Sequence, residues 1–265
     1  MSAHGAGARR PGALPNLVVV GAMKSGTSAL HALLDRHPQI AMSDPKELNF
    51  FFGPPVLPRE LAAMRPAKRA RDVAWQIGNR YRGVAWYARH WGPDAPVRGE
   101  SSPGYTSPDR PEVAARMASL LPDARLVYIV RDPIERALSQ YRHHRADGSE
   151  RRPIDDALLD PHSQYLARSH YYERLEPFVD RFGARRVAVV SQEELAVDPR
   201  SALRRVFEHA GADPSVRVDV GAAPVARPDR PHAGDRLRAR LVEALRDDAA
   251  RLRELAGRDF PLWSV

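Results

Sequence analysis

Short, wholly apolar runs alternate along this chain with segments of helical period. Leu17 to Val20 is the first such run, and Ala29, Leu30, Leu33 and Leu34 after it have the spacing of one helix face. That pattern predicts a strand over 17–20 and a helix over 27–36, ended by His37-Pro38. Leu126 to Val130 and Val187 to Val190 read as further buried strands. Helical period covers 112–121, 170–182, 200–210 and 234–256. Another helix opens at Asp132, with Pro133 at its first position and Glu135 at its third, a capping-box arrangement. Residues 60–92 carry a helical pattern with Trp75, Tyr81, Trp86, Tyr87 and Trp91, while 44–60 and the proline-rich 221–233 read as loops. Wholly apolar strands alternating with helices predict a single α/β domain whose central parallel sheet is flanked by helices. Ligands of such sheets bind at the carboxyl ends of the strands, which places Gly21 to Gly26, Arg131 and the residues after Val190 on one edge.

Composition narrows the function. A length of 265 residues suits one domain over 16–265 behind a disordered lead over 1–15. Arg9 and Arg10 are followed by no apolar core, so the lead does not read as a secretory signal. No apolar run reaches the ~20 residues needed to span a bilayer. With no cysteine, disulfides and thiolate metal sites are excluded and a cytoplasmic location is expected. The net charge is +8 and arginine greatly outnumbers lysine, which suits bidentate grip on phosphate or sulfate. The basic residues are spread out and not interleaved with aromatics, which favours a small anionic ligand over nucleic acid.

Candidate chemistry concentrates in Gly21-Ala22-Met23-Lys24-Ser25-Gly26-Thr27-Ser28. A strand, a phosphate-sized loop and a helix start make an anion cradle from backbone N–H groups and the helix dipole. A nucleoside-triphosphate loop reads G-x-x-x-x-G-K-[ST]. Gly21 and Gly26 keep that spacing, but Thr27 stands where the lysine belongs and Lys24 lies inside the loop. A second segment, Arg131 to Ser139, follows a buried strand, and a third, Lys46-Glu47, leads into Phe50, Phe51 and Phe52.

Together with Gly83-Val84-Ala85-Trp86-Tyr87, Gly99-Glu100-Ser101-Ser102-Pro103-Gly104-Tyr105 and Glu193 to Pro199, these segments resemble the sulfotransferases that use 3′-phosphoadenosine 5′-phosphosulfate (PAPS). The likeness covers most of 16–212 and is strongest to the heparan-sulfate-type domains and their bacterial relatives. It implies a P-loop-like fold, PAPS as sulfonate donor and no metal. It implies that Lys24 lies beside the bridging oxygen and the transferring sulfonate, with Ser25, Gly26, Thr27 and Ser28 around the 5′-phosphate. Arg131 and Ser139 match a 3′-phosphate pair, Tyr171 a tyrosine near the nucleotide, and Arg227 with Arg230 a cover over the 3′-phosphate. Glu47 is the implied general base, which takes the proton of an acceptor hydroxyl. Lys46 would bind donor or acceptor or orient Glu47, and His90, His143 and His144 are alternative bases. The acceptor would be an alcohol of a carbohydrate, lipid or secondary metabolite. Heparan-sulfate-modifying relatives carry a lysine where this chain has Ser101, which argues against a glycosaminoglycan acceptor. The tail over 257–263 resembles the ending of bacterial members and reads as packing. The alternatives are a nucleotide or small-molecule kinase, which would need ATP, Mg²⁺ and the missing lysine, and a PAPS- or polyanion-binding protein without catalysis.

Overall fold

A computed structural model of the chain describes residues 13–52, 82–92, 94–221 and 233–265. Five strands form one sheet: β1 (Leu17–Gly21), β2 (Ile40–Met42), β3 (Val97–Ser101), β4 (Arg125–Val130) and β5 (Val187–Ser191). All pairings are parallel and the order is β2-β3-β1-β4-β5. The helices are α1 (Thr27–Asp35), α2 (Gly83–Ala88), α3 (Val113–Leu120), α4 (Pro133–Ala146), α5 (Ile154–Leu159), α6 (Gln164–Ala167), α7 (Tyr171–Phe182), α8 (Gln192–Val197), α9 (Pro199–Ala210) and α10 (Asp235–Ala256).

Side chains alternate across a strand, so an apolar run buries both faces. Val18 and Val20 join Leu126, Tyr128 and Val130 in a core with α3 and α7. Leu17 and Val19 join Val127 and Ile129 in a second core with α1 and α9. Burying one such side chain contributes roughly 1.5–3 kcal/mol, which makes the register of the central strands hard to shift. A third apolar cluster ties α4, α5 and α6 to α10.

Strands β1, β4 and β5 and helices α1, α3, α4, α7, α9 and α10 lie within a residue or two of their expected positions. β2 and β3 carry no comparable signal in the sequence. β2 has three residues, and β3 interrupts its apolar character with Arg98, Gly99 and Glu100. Of the helical pattern over 60–92, the described part holds only α2. Trp75, Tyr81, Arg227, Arg230 and most of the lead over 1–15 lie outside the described residues.

The capping box expected at Asp132 is half formed. The Asp132 Oδ1 accepts from the amides of Ile134 (2.9 Å) and Glu135 (3.0 Å). Glu135 does not return to the Asp132 amide, which donates instead to Glu193 Oε1 at 2.9 Å. Its carboxylate turns to Arg131 (3.7 Å) and Arg238 (2.7 Å), because two guanidinium groups compete for it more strongly than one amide. A complete capping box forms at Ser191 and Glu194.

β1 is tightly packed at its carboxyl end. A Cβ on Gly21 would lie 2.6 Å from Tyr128 Cε2, inside a fully buried ring. Gly21→Ala is expected to lose ~1–3 kcal/mol through overpacking, read as a lower urea midpoint with unchanged slope.

Candidate functional site

The site forms where β1 and β4 lie side by side and release their chains at the same edge. β1 ends at Gly21, and Ala22 still pairs with Ile129 of β4 through an amide–carbonyl bond of 2.6 Å. The chain then reverses through two left-handed residues, Lys24 (φ 68) and Gly26 (φ 93). Glycine takes that conformation freely, whereas a lysine held there costs of order 1 kcal/mol. α1 starts directly after Gly26, and Leu30 donates to the Gly26 carbonyl at 3.1 Å. The amides of Thr27, Ser28 and Ala29 therefore precede the first intrahelical bond.

No side chain caps this helix and its first turn holds no acidic residue. Asp132 caps α4, Ser191 caps α8 and Asp198 caps α9, while α2, α3, α5, α6, α7 and α10 share the lack of a side-chain cap with α1. An uncapped helix start whose amides point outward binds anions.

Cations gather around it. Lys24 is half-buried, and its pKa is lowered first by that burial and then by the fields of Arg131, Arg142 and Arg136. Arg131 leaves the end of β4 with a side chain 14% exposed and a loose 3.7 Å pair to Glu135. Arg136 is fully buried. Its guanidinium donates to Ser169 Oγ (2.7 Å), Gln140 Oε1 (2.6 Å) and the Tyr165 carbonyl, all neutral acceptors. Burial pulls the Arg136 pKa down to about 10, which leaves it charged at neutral pH. Three guanidinium groups thus act on the Lys24 ammonium at this edge.

Tyr171 joins the two halves of this edge. The ring is fully buried. Its hydroxyl donates to the Arg131 carbonyl at 2.9 Å and stands 3.5 Å from Ser25 Oγ. Ser25 is itself fully buried and Thr27 nearly so, while Ser28 is exposed. Ser139 lies part-buried on α4, eight residues beyond Arg131. The tail closes over the same place. Trp263 packs against Tyr171 and donates to Glu193 Oε2 at 3.2 Å, and Ser264 donates its amide and hydroxyl to Asp132 Oδ2, both at 2.6 Å.

Glu47 occupies the neighbouring loop. Its backbone is left-handed (φ 65), its amide donates to the Ser101 carbonyl at 3.0 Å, and its carboxylate pairs with Lys46. The fields of Lys46 and Glu47 reach His31 on α1. The charges that act on Lys24 are the three arginines, and Glu47 is not among them. His90 Nδ1 lies 2.9 Å from the Tyr87 carbonyl and His144 Nδ1 2.9 Å from the Tyr165 hydroxyl, while His143 is exposed. Beside Gly26 opens a groove of about 250 Å³, with Ala29, Leu33, Leu195, Pro199 and Gln192 in its walls. The sequence assigns Arg136, Arg142 and Gln192 no role and takes the tail as packing; Arg136 and Arg142 lie one and about three turns along the Asp132-capped helix.

A parallel α/β sheet with an uncapped, cation-ringed helix start at its carboxyl edge defines an anion-binding fold of nucleotide-using type. The comparisons with known proteins narrow that class. The family model described as "Sulfotransferase family" matches residues 15–215, and the chain belongs to that family. The chain is similar to a sulfotransferase from Alicyclobacillus acidocaldarius: TM-score 0.75, 27% identity, covering 96% of this chain and 100% of that one. It is 34% identical over 134 residues to the membrane-associated sulfotransferase kil1 of Dictyostelium discoideum, covering 48% of this chain. It is 25% identical over 227 residues to the human bifunctional heparan sulfate N-deacetylase/N-sulfotransferase 2, covering 76% of this chain. The chain spans 22% of the length of each of these two relatives. Among the described residues no helix is long and apolar enough to cross a membrane.

Tyr171→Phe keeps the packing and removes the bridging hydroxyl. The variant is expected to lose about 0.5–1.5 kcal/mol of stability, measured by urea denaturation, and to bind adenosine 3′,5′-bisphosphate more weakly by calorimetry.

Proposed function

We propose that this protein transfers a sulfonate group from PAPS to an alcohol, with Lys24 and Glu47 as the catalytic residues. The observation that carries the reading is the position of Lys24. It sits in a left-handed turn at an uncapped helix start, half-buried among Arg131, Arg136 and Arg142. The residues present fit the donor. The open amides and the hydroxyls of Thr27 and Ser28 suit the 5′-phosphate, with Ser25 buried behind them and Gly26 clearing the approach. Arg131 and Ser139, on the adjoining strand end and helix, suit the 3′-phosphate. The apolar groove beside Gly26 has the character a base needs. Tyr171, buried against Arg131 and Ser25, ties these two parts together.

When bound, the donor supplies a sulfur whose bond to the bridging phosphate oxygen breaks as a new S–O bond forms. Glu47 takes the proton that the attacking hydroxyl loses. Lys24 neutralises the charge that appears on the bridging oxygen. That charge is absent from the ground state, so a cation placed there lowers the barrier selectively. Lys46, paired with Glu47, orients the carboxylate. A kinase reading is disfavoured because Thr27 stands at the lysine position of the triphosphate loop. The acceptor class is an alcohol of a carbohydrate, lipid or secondary metabolite. A mass-spectrometric screen of alcohols for an ~80 Da gain identifies it; a full screen with no gain, alongside measurable PAPS binding, would favour a non-catalytic binder.

Lys24→Ala is expected to lower the transfer rate by ~10²–10³-fold, and near-normal turnover would remove the assigned role. Arg131→Ala should weaken adenosine 3′,5′-bisphosphate by about 1.5–3 kcal/mol in calorimetry and leave adenosine 5′-phosphate nearly unchanged. Equal losses for both ligands would reject the 3′-phosphate contact. Glu47→Gln should reduce the chemical rate ~10²–10⁴-fold at unaltered bisphosphate affinity.

A further inference from the structure

Glu100 is a carboxylate buried near the end of β3 and bonded by hydroxyl groups, with no part in the chemistry above. Three hydroxyls converge on it. Ser102 Oγ and the Tyr105 hydroxyl each donate to Oε1 at 2.6 Å, and the Tyr87 hydroxyl donates to Oε2. An ionised carboxylate only accepts, so each hydroxyl turns its hydrogen inward and its lone pairs outward. Two of those outward lone pairs meet the loop that carries Glu47. Ser102 Oγ accepts from the Asn49 amide at 3.1 Å, and the Tyr105 hydroxyl accepts from the Phe50 amide at 2.9 Å. The third member holds the same loop by stacking: the Tyr87 ring lies 4.1 Å from Phe50, tilted by 8°.

The loop needs such a hold. Glu47 and Asn49 both lie in the left-handed region, at φ 65 and φ 50. Their strain is maintained only if the surroundings over-determine it. The Glu47 amide bond to Ser101 and the Asn49 side-chain bond to the Glu47 carbonyl (3.1 Å) complete the fastening. Three of these contacts, from the amides of Glu47, Asn49 and Phe50, reach the stretch from Ser101 to Tyr105.

We propose that Glu100 is a positioning residue for Glu47, acting through Ser102, Tyr105 and Tyr87, whose hydroxyls it orients so that they hold the 47–50 loop in its left-handed form. The inference rests on Glu47 as the base only for its consequence on rate. Its consequence on the loop is independent of any reaction.

The test is hydrogen–deuterium exchange of peptides covering 47–52, in full-length protein saturated with adenosine 3′,5′-bisphosphate. Glu100→Gln places an NH₂ donor against the hydroxyls, so at least one must reverse; Tyr105→Phe deletes one link outright and serves equally if the first variant does not fold. Exchange in 47–52 is expected to rise about tenfold in either variant while that of 113–120 stays as in the parent protein, and bisphosphate affinity holds within about twofold. Release of bisphosphate from PAPS, with water as the nucleophile, should fall about tenfold. In a Glu47→Gln background the same change should cost less than about twofold further, because the group being positioned is gone. Unchanged exchange over 47–52, exchange raised across the whole chain, or full multiplicative losses in the double variant would each overturn the proposal. A Glu47→Gln protein with the parent rate would instead refute the base assignment, and the exchange result would still decide the role of Glu100.

Discussion

The pairing of β1 with β4 decides where the charges of the site can be. Leu17–Gly21 of β1 and Leu126–Val130 of β4 are buried on two faces, so neither strand can slide or turn without exposing a row of valines and leucines. Their carboxyl ends then deliver the Lys24 turn and Arg131 to the same edge. Order β2-β3-β1-β4-β5 puts that pair at the reversal of the strand sequence, where open parallel sheets leave a crevice. Tyr171 secures the junction from the core side, touching Ser25 and the Arg131 carbonyl with one hydroxyl.

Once these groups are adjacent, electrostatics gives the site its character. Lys24, Arg131, Arg142 and the buried Arg136 repel one another, which is why the Lys24 pKa is lowered beyond the effect of burial. Part of the folding energy of the hydrophobic cores is thus stored as unfavourable cation–cation interaction. A polyanion relieves it. In the proposed function, the cations that oppose folding are those that would hold a doubly phosphorylated nucleotide. The tail contributes by fastening Ser264 to the Asp132 carboxylate and Trp263 to Glu193, so both the cap of α4 and the start of α8 are tied at this edge.

At this sheet edge α4 and α8 have side-chain caps from Asp132 and Ser191, while α1 starts without one. The Glu47 loop lies between these extremes. Its amides are held by hydroxyls that are in turn held by Glu100, a chain of donors that runs from backbone to buried carboxylate. Burial raises the Glu100 pKa and the three hydroxyls oppose that rise, so the network and the charge depend on each other.

The amino-acid sequence by itself determined the parallel α/β architecture, the strand–turn–helix around Lys24 and the motif order of the sulfotransferase family. These depend on local pattern: apolar runs, glycine spacing, and a proline after an N-cap aspartate. It did not reveal β2 and β3, because a three-residue edge strand and a strand holding Arg98, Gly99 and Glu100 lack an apolar period. It placed Glu135 in a capping box, although the arginines that claim its carboxylate, Arg131 and Arg238, include one more than a hundred residues away in the chain. Tertiary structure alone decided that Tyr171 is a buried strut, that Arg136 is a cation held by neutral partners, and that Glu100 lies beneath the Glu47 loop. The reason is common to all three. Burial and hydrogen-bond direction are properties of surroundings assembled from distant segments, whereas the period of a strand or helix is written within a few neighbouring residues.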